Sequence, residues 1–129
     1  MERKRARAGK VRRRGGASRS ARFAELVKLF RTLLDPGGCP WDREQTHETL
    51  IPYLREEAEE FIAAVRSGDR EHMREELGDI LLQVMFHSEL AEREGAFTIE
   101  DVIGGLIDKL TRRHPHVFAG TVVGSSREV

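Results

Sequence analysis

Two short runs concentrate the chemistry of this chain: Glu56-Glu57-Ala58-Glu59-Glu60 and, further along, Glu76-Leu77-Gly78-Asp79. Side chains three apart on a helix share a face, so Glu57 with Glu60 and Glu76 with Asp79 make two aligned pairs. On neighbouring antiparallel helices the pairs would converge. Four close carboxylates do not all stay ionised unaided, because repulsion and partial burial raise their pKa values until a cation neutralises them. Hard oxygen ligands with no convincing Cys or His contribution select Mg²⁺, with Mn²⁺ as a substitute.

A solvated helix surface is the usual account of a glutamate run, and it covers Glu59, Glu71 and Glu75. Helical phase separates the others. With Leu50 at zero and about 100° per residue, Leu54, Ala58, Phe61 and Val65 form one apolar stripe, and Glu57 falls on its edge. Glu60 and Glu56 flank the same side, whereas Glu59 points roughly opposite. On the next segment Glu76, Asp79 and Gln83 share a second polar face. The neighbouring run Ile80-Leu81-Leu82 and Val84-Met85-Phe86 is apolar all round, so that segment must be covered on most sides.

Four helices are needed to hold these groups, and no segment alternates like a strand. Phe23, Leu26, Val27, Leu29, Phe30, Leu33 and Leu34 recur at helical spacing behind Ser20, an available N-cap. Two prolines and two glycines in Asp35-Pro-Gly-Gly-Cys-Pro-Trp-Asp42 then make a shaped loop. A second helix begins between Thr46 and Leu50, since Pro52 belongs in a first turn, and it stops at Ser67-Gly68. A third opens on Asp69 and runs to Gly95. A fourth starts from the capping box Thr98 and Asp101 and reaches Arg113, before His114-Pro115. Short connections predict an all-α, antiparallel bundle of about four helices over residues 20–118. At 129 residues, such a domain is expected to complete its core by dimerisation.

The formal net charge of zero hides an asymmetry. Residues 1–22 carry ten Arg or Lys against the single acid Glu2, and the remainder holds 21 acids against 12 bases. An acidic body does not suit nucleic acid, which needs a basic face. Residues 1–19 read as a disordered basic arm, the one segment that could touch nucleic acid, and 119–129 as a flexible tail. The single Cys39 cannot form an internal disulfide. Neither a secretory stretch nor about 18 continuous apolar residues occur, so no membrane partner and a reducing cytoplasm are expected.

The two acidic runs resemble the signature of the MazG family of nucleoside triphosphate pyrophosphohydrolases, Glu-Glu-x-x-Glu followed by Glu-x-x-Asp. Three more blocks carry the resemblance: Cys39-Pro40-Trp41-Asp42 with Gln45-Thr46-His47, then Gln83-Val84-Met85-Phe86-His87, then Lys109 through Phe118. The likeness implies hydrolysis between the α and β phosphates, giving a nucleoside monophosphate and pyrophosphate. It also implies a Mg²⁺ requirement and homodimers, with a tetramer as the larger possibility. By motif, Glu57, Glu60, Glu76 and Asp79 would be the metal ligands, and Glu56 a supporting ligand or a water-orienting base.

Lys109 and Arg113 stand four apart and suit the β and γ phosphates, and Arg112 points elsewhere. Charge at a helix C-terminus is the alternative that needs no ligand, and the resemblance favours phosphate binding. Trp41 would stack on a base, or else anchor its loop as a buried residue. His47, His87, His114 and His116 read as structural hydrogen-bonding groups, and Cys39 as packing. Many members of the family carry two such domains in a longer chain. Remaining alternatives are a catalytically silent nucleotide-binding or dimerisation domain, and a related dUTP or phosphoribosyl-ATP hydrolase.

Overall fold

Several helices among the described residues begin or end where the sequence offers or withholds backbone partners. The computed structural model describes residues 16–118. Its elements are α1 (Gly16–Leu34), α2 (Pro40–Arg43), α3 (His47–Ser67), α4 (Arg70–Arg93), α5 (Ile99–Arg113) and α6 (Pro115–Phe118). Among the described residues there is no strand. The described residues are all-helical apart from short connections, with four long helices and two single turns among them.

Helix α1 starts at Gly16 rather than at the expected Ser20, which lies inside it and is no N-cap. Arg19, Ala21 and Arg22 are good helix formers and extend the helix backwards. The last residues of the expected basic arm are therefore helical; the rest of that arm, and the tail expected over 119–129, lie outside the described residues. The shaped loop closes on α1: the Gly38 and Cys39 N–H groups donate to Asp35 O and Leu33 O, at 2.8 and 2.9 Å. A Cβ at Gly38 would collide with the main-chain carbonyls of Leu33 and Thr32, so only glycine fits. Extended Cys39 then caps α2, with Pro40 at its first position.

Thr46 and Thr49 cap α3 reciprocally: the Thr49 N–H donates to Thr46 Oγ1 at 3.1 Å, and the Thr46 N–H to Thr49 Oγ1 at 2.8 Å. Starting the helix there puts Pro52 in the second turn, not the first as expected. Lacking an N–H, it leaves the Glu48 carbonyl without its intrahelical donor. Left-handed Gly68 (φ 75°) ends α3, and Asp69 Oδ1 accepts the His72 N–H at 3.1 Å to open α4. The predicted Thr98–Asp101 box caps α5, with reciprocal bonds of 3.2 and 3.0 Å.

By compactness the chain divides at Leu90/Ala91 into two units. In the first, Phe30, Leu34, Leu50, Ala64, Met85 and Phe86 are buried, and the Phe30 and Phe86 rings meet edge-on at 5.9 Å. Arg31 pairs with the buried Glu89 at 3.7 Å. Helices α3 and α4 run antiparallel, since His47 meets His87 while Glu57 and Glu60, further along α3, meet residues earlier on α4. Even Leu50 and Met85 keep 3% of their surface exposed, and Leu77, Leu81 and Leu82 are exposed outright. In the second unit Ala91 and Ile99 are buried, whereas Leu106, Ile107, Leu110, Val117 and Phe118 are exposed.

Candidate metal site and adjoining cleft

The antiparallel pairing of α3 and α4 brings Glu57, Glu76 and Asp79 together. One ligand oxygen from each lies within 4.8 Å of the others. Glu60 does not complete this group. It joins Glu76 and His72 in a second group, also within 4.8 Å, so the expected quartet falls into two triads sharing Glu76. Glu56 is exposed and belongs to neither.

Electrostatics at Glu57 follow from this crowding. Its carboxyl is pushed above the ordinary range, first by partial burial, then by the negative charges of Asp79, Glu76, Glu56 and Glu60. Glu76 keeps 12% of its side chain exposed. Its Oε2 accepts the His72 Nε2–H at 3.1 Å, whereas its Oε1 is buried and has no hydrogen-bond partner among the described residues. A buried carboxylate oxygen with no donor, beside two more carboxylates, fits a hard cation far better than it fits an empty pocket.

His72 is absent from the sequence expectation, which finds no convincing histidine contribution. The signal was available: His72 stands four residues before Glu76 and so shares its helix face.

Glu57 and Asp79 also line a cleft of about 570 Å³. Its other walls are largely apolar and include Phe30, Leu33, Leu50, Phe86, Trp41 and Tyr53. Trp41 is 55% exposed and meets the Tyr53 ring edge-on at 6.2 Å, so it is no buried loop anchor. Gln83, also in the lining, is only 4% exposed, and its Oε1 lacks a partner among the described residues. The sequence marks Gln83 as part of a polar face but not as a cleft residue.

Lys109, Arg112 and Arg113 are exposed near the end of α5, in the second unit. His47 and His87 share a hydrogen bond between their Nδ1 atoms at 2.8 Å, and His114 Nδ1 donates to Leu110 O at 2.7 Å. Cys39 is half-buried and free.

Comparison with known proteins agrees with the arrangement of motifs. The family model for the MazG nucleotide pyrophosphohydrolase domain matches residues 45–118. The chain is 58% identical over 96 residues to the nucleoside triphosphate pyrophosphohydrolase/pyrophosphatase MazG of Thermotoga maritima, covering 74% of this chain and 38% of that protein. It is 46% identical over 105 residues to a nucleoside triphosphate pyrophosphohydrolase of Escherichia coli K12, covering 81% and 40% respectively. It therefore spans about two fifths of the length of these relatives. A crystal structure of a mazG-related protein from Thermotoga maritima superposes with a TM-score of 0.65 at 28% identity, over 84% of this chain and 90% of that one. With more than half of its length matched, and both acidic runs inside the match, the chain belongs to the MazG nucleotide pyrophosphohydrolase domain family.

Proposed function

We propose that this chain hydrolyses nucleoside triphosphates between the α and β phosphates, releasing a nucleoside monophosphate and pyrophosphate in nucleotide-pool housekeeping, with Mg²⁺ as cofactor and Mn²⁺ as a substitute. The observation that carries the reading is the overlap of two features. Glu57 and Asp79 belong both to the three-carboxylate group and to the lining of a cleft large enough for a nucleoside. The names of the relatives point the same way.

In this reading Glu57, Glu76 and Asp79 hold the magnesium, and Glu60, one turn along α3 and grouped with Glu76, adds a carboxylate from the family motif. Bound there, the ion would neutralise phosphate charge and lower the pKa of a coordinated water. Glu56 is left as a supporting ligand or a base that orients the attacking water. Trp41 offers an exposed ring face for a base. Lys109 and Arg113, with Arg112 less directly, are the proposed phosphate-binding bases, on the strength of their spacing and the family resemblance.

The exposed apolar side chains of α4 and α5 support a bundle completed by a second copy, as a homodimer or a tetramer. A functional body over residues 20–118, working in the cytoplasm, is part of the same proposal. No helix among the described residues is long and apolar enough to cross a membrane.

A product assay with Mg²⁺ and a panel of ribo- and deoxyribonucleoside triphosphates tests this. Equimolar monophosphate and pyrophosphate are expected. Diphosphate with orthophosphate, or nucleotide binding without turnover, would overturn the proposal.

A further inference from the structure

We propose that Gln83 reads the base of the nucleotide: its buried carboxamide oxygen accepts an N–H from the base edge, and the cleft selects for bases that carry such a donor. The inference rests on the nucleotide reading of the cleft and adds the group that recognises the base.

Gln83 is 4% exposed, and its Oε1 is buried with no hydrogen-bond donor among the described residues. An amide oxygen shut away from water without a donor costs free energy, so a buried group of this kind calls for a partner. Gln83 also lines the cleft. Whatever fills the cleft is therefore placed to supply the missing donor. Largely apolar pockets fix the orientation of a ligand in this way, through a few polar groups set among hydrophobic walls.

Position along α4 decides which part of the nucleotide this is. Gln83 stands four residues after Asp79, so the two share a helix face and lie about 6 Å apart along the axis. Asp79 belongs to the carboxylate triad proposed for the magnesium and the phosphates, and Gln83 is one turn removed from it. On α3, Tyr53 stands one turn before Glu57 in the same lining and meets Trp41. Phe86, three residues beyond Gln83, and Leu50, three before Tyr53, carry the lining further as apolar wall. Aromatic and aliphatic walls with an amide oxygen set among them suit a planar base, whereas a sugar brings hydroxyls that need several polar partners. Every common base has an N–H on its pairing edge, the amino groups of adenine and cytosine or the ring N–H of guanine, uracil and thymine. One acceptor admits them all and rejects a base that has none, as a hydrolase acting on the nucleotide pool at large requires.

Steady-state kinetics of the full chain with Mg²⁺ test this. ATP is compared with purine riboside triphosphate, which has hydrogen in place of the 6-amino group, and CTP with its analogue lacking the 4-amino group, each in ribo and deoxyribo form. The wild-type chain is expected to favour the amino-bearing member of each pair by about 10-fold or more in kcat/KM, because the analogue leaves Oε1 unpaired. In Gln83→Met, which keeps the length of the side chain and suits a helix but has no amide, that ratio should fall towards unity. Gln83→Asn withdraws the oxygen by one methylene and should lower the ratio too, which gives the same reading should Gln83→Met not fold. A purely structural role would slow both members of a pair alike. Equal rates within every pair in the wild type, or a ratio that survives both substitutions, overturns this inference, while release of monophosphate and pyrophosphate keeps the wider proposal standing. A ribo-to-deoxyribo ratio that changes while the base ratios do not assigns the carboxamide to the sugar and overturns it as well. No release of monophosphate and pyrophosphate from any of these nucleotides overturns both.

Discussion

Helices α3 and α4 meet at a histidine pair and at a cluster of carboxylates, and these are finished differently. At one, His47 and His87 bring their Nδ1 atoms to 2.8 Å, and a single proton between them closes the contact. His87 Nε2 is buried without a partner among the described residues. If the shared proton sits on His87 Nδ1, that nitrogen carries only a lone pair, which is less costly to strand than an N–H. At the other place, Glu57, Glu76 and Asp79 have no proton to share while ionised, and Glu76 Oε1 stays open. Both places leave one buried atom without a partner, and they differ in charge: the open oxygen belongs to a carboxylate among carboxylates, which suits a cation, and the open nitrogen to an imidazole held neutral.

The largest expected effect breaks the open end. Glu57→Gln or Asp79→Asn should lower turnover by about 10³-fold, equivalent to about 4 kcal/mol of barrier, with the helical fold retained. Steady-state rates with circular dichroism measure this, and wild-type rates in either variant would discard the carboxylate assignment. Next in size is the response to the ion itself. Mg²⁺ at about 100 times its Kd should stabilise the wild-type chain by about 2.7 kcal/mol and do far less for Asp79→Asn. A thermal shift equal in both variants would place the ion elsewhere.

The smallest effect sharpens the closed end. Burial, and then the proximity of His47, hold the His87 imidazole below its ordinary pKa. The folded state therefore binds that proton less readily than the unfolded chain. This stabilising contribution is present above about pH 6.5 and is lost as pH falls towards the lower folded value. Melting between about pH 7.5 and about pH 5.5 should show the loss in the wild type and less of it in His87→Phe. Identical slopes for the two proteins would remove the pair from the account.

Much of the fold was legible because local chemistry wrote it. The Thr98–Asp101 box, the Ser67-Gly68 stop and the His114-Pro115 end are read from adjacent residues, and the helices carry them out. The helical pairing of Glu57 and Glu60 was equally visible. What the sequence could not set was the register of one helix against the other. That register divides the acids into two triads and draws in His72, because it depends on how the turn at Gly68 and Asp69 is made. The single turn α2 was hidden in the loop, although Pro40 behind an extended residue is a first-turn signal. The early start of α1 was missed because Gly16 and Ser18 resemble linker residues, while the arginines and alanines beyond them favour helix.

No side chain fits at Gly38, and both obstacles are main-chain carbonyls of α1, which no change of rotamer can clear. The strap leading to Trp41 is therefore rooted in backbone rather than in side-chain packing. Exchanging Trp41 or Tyr53 should alter what the cleft accepts without moving its wall. New substrate preferences in this scaffold are then a matter of changing furniture, not of moving the frame.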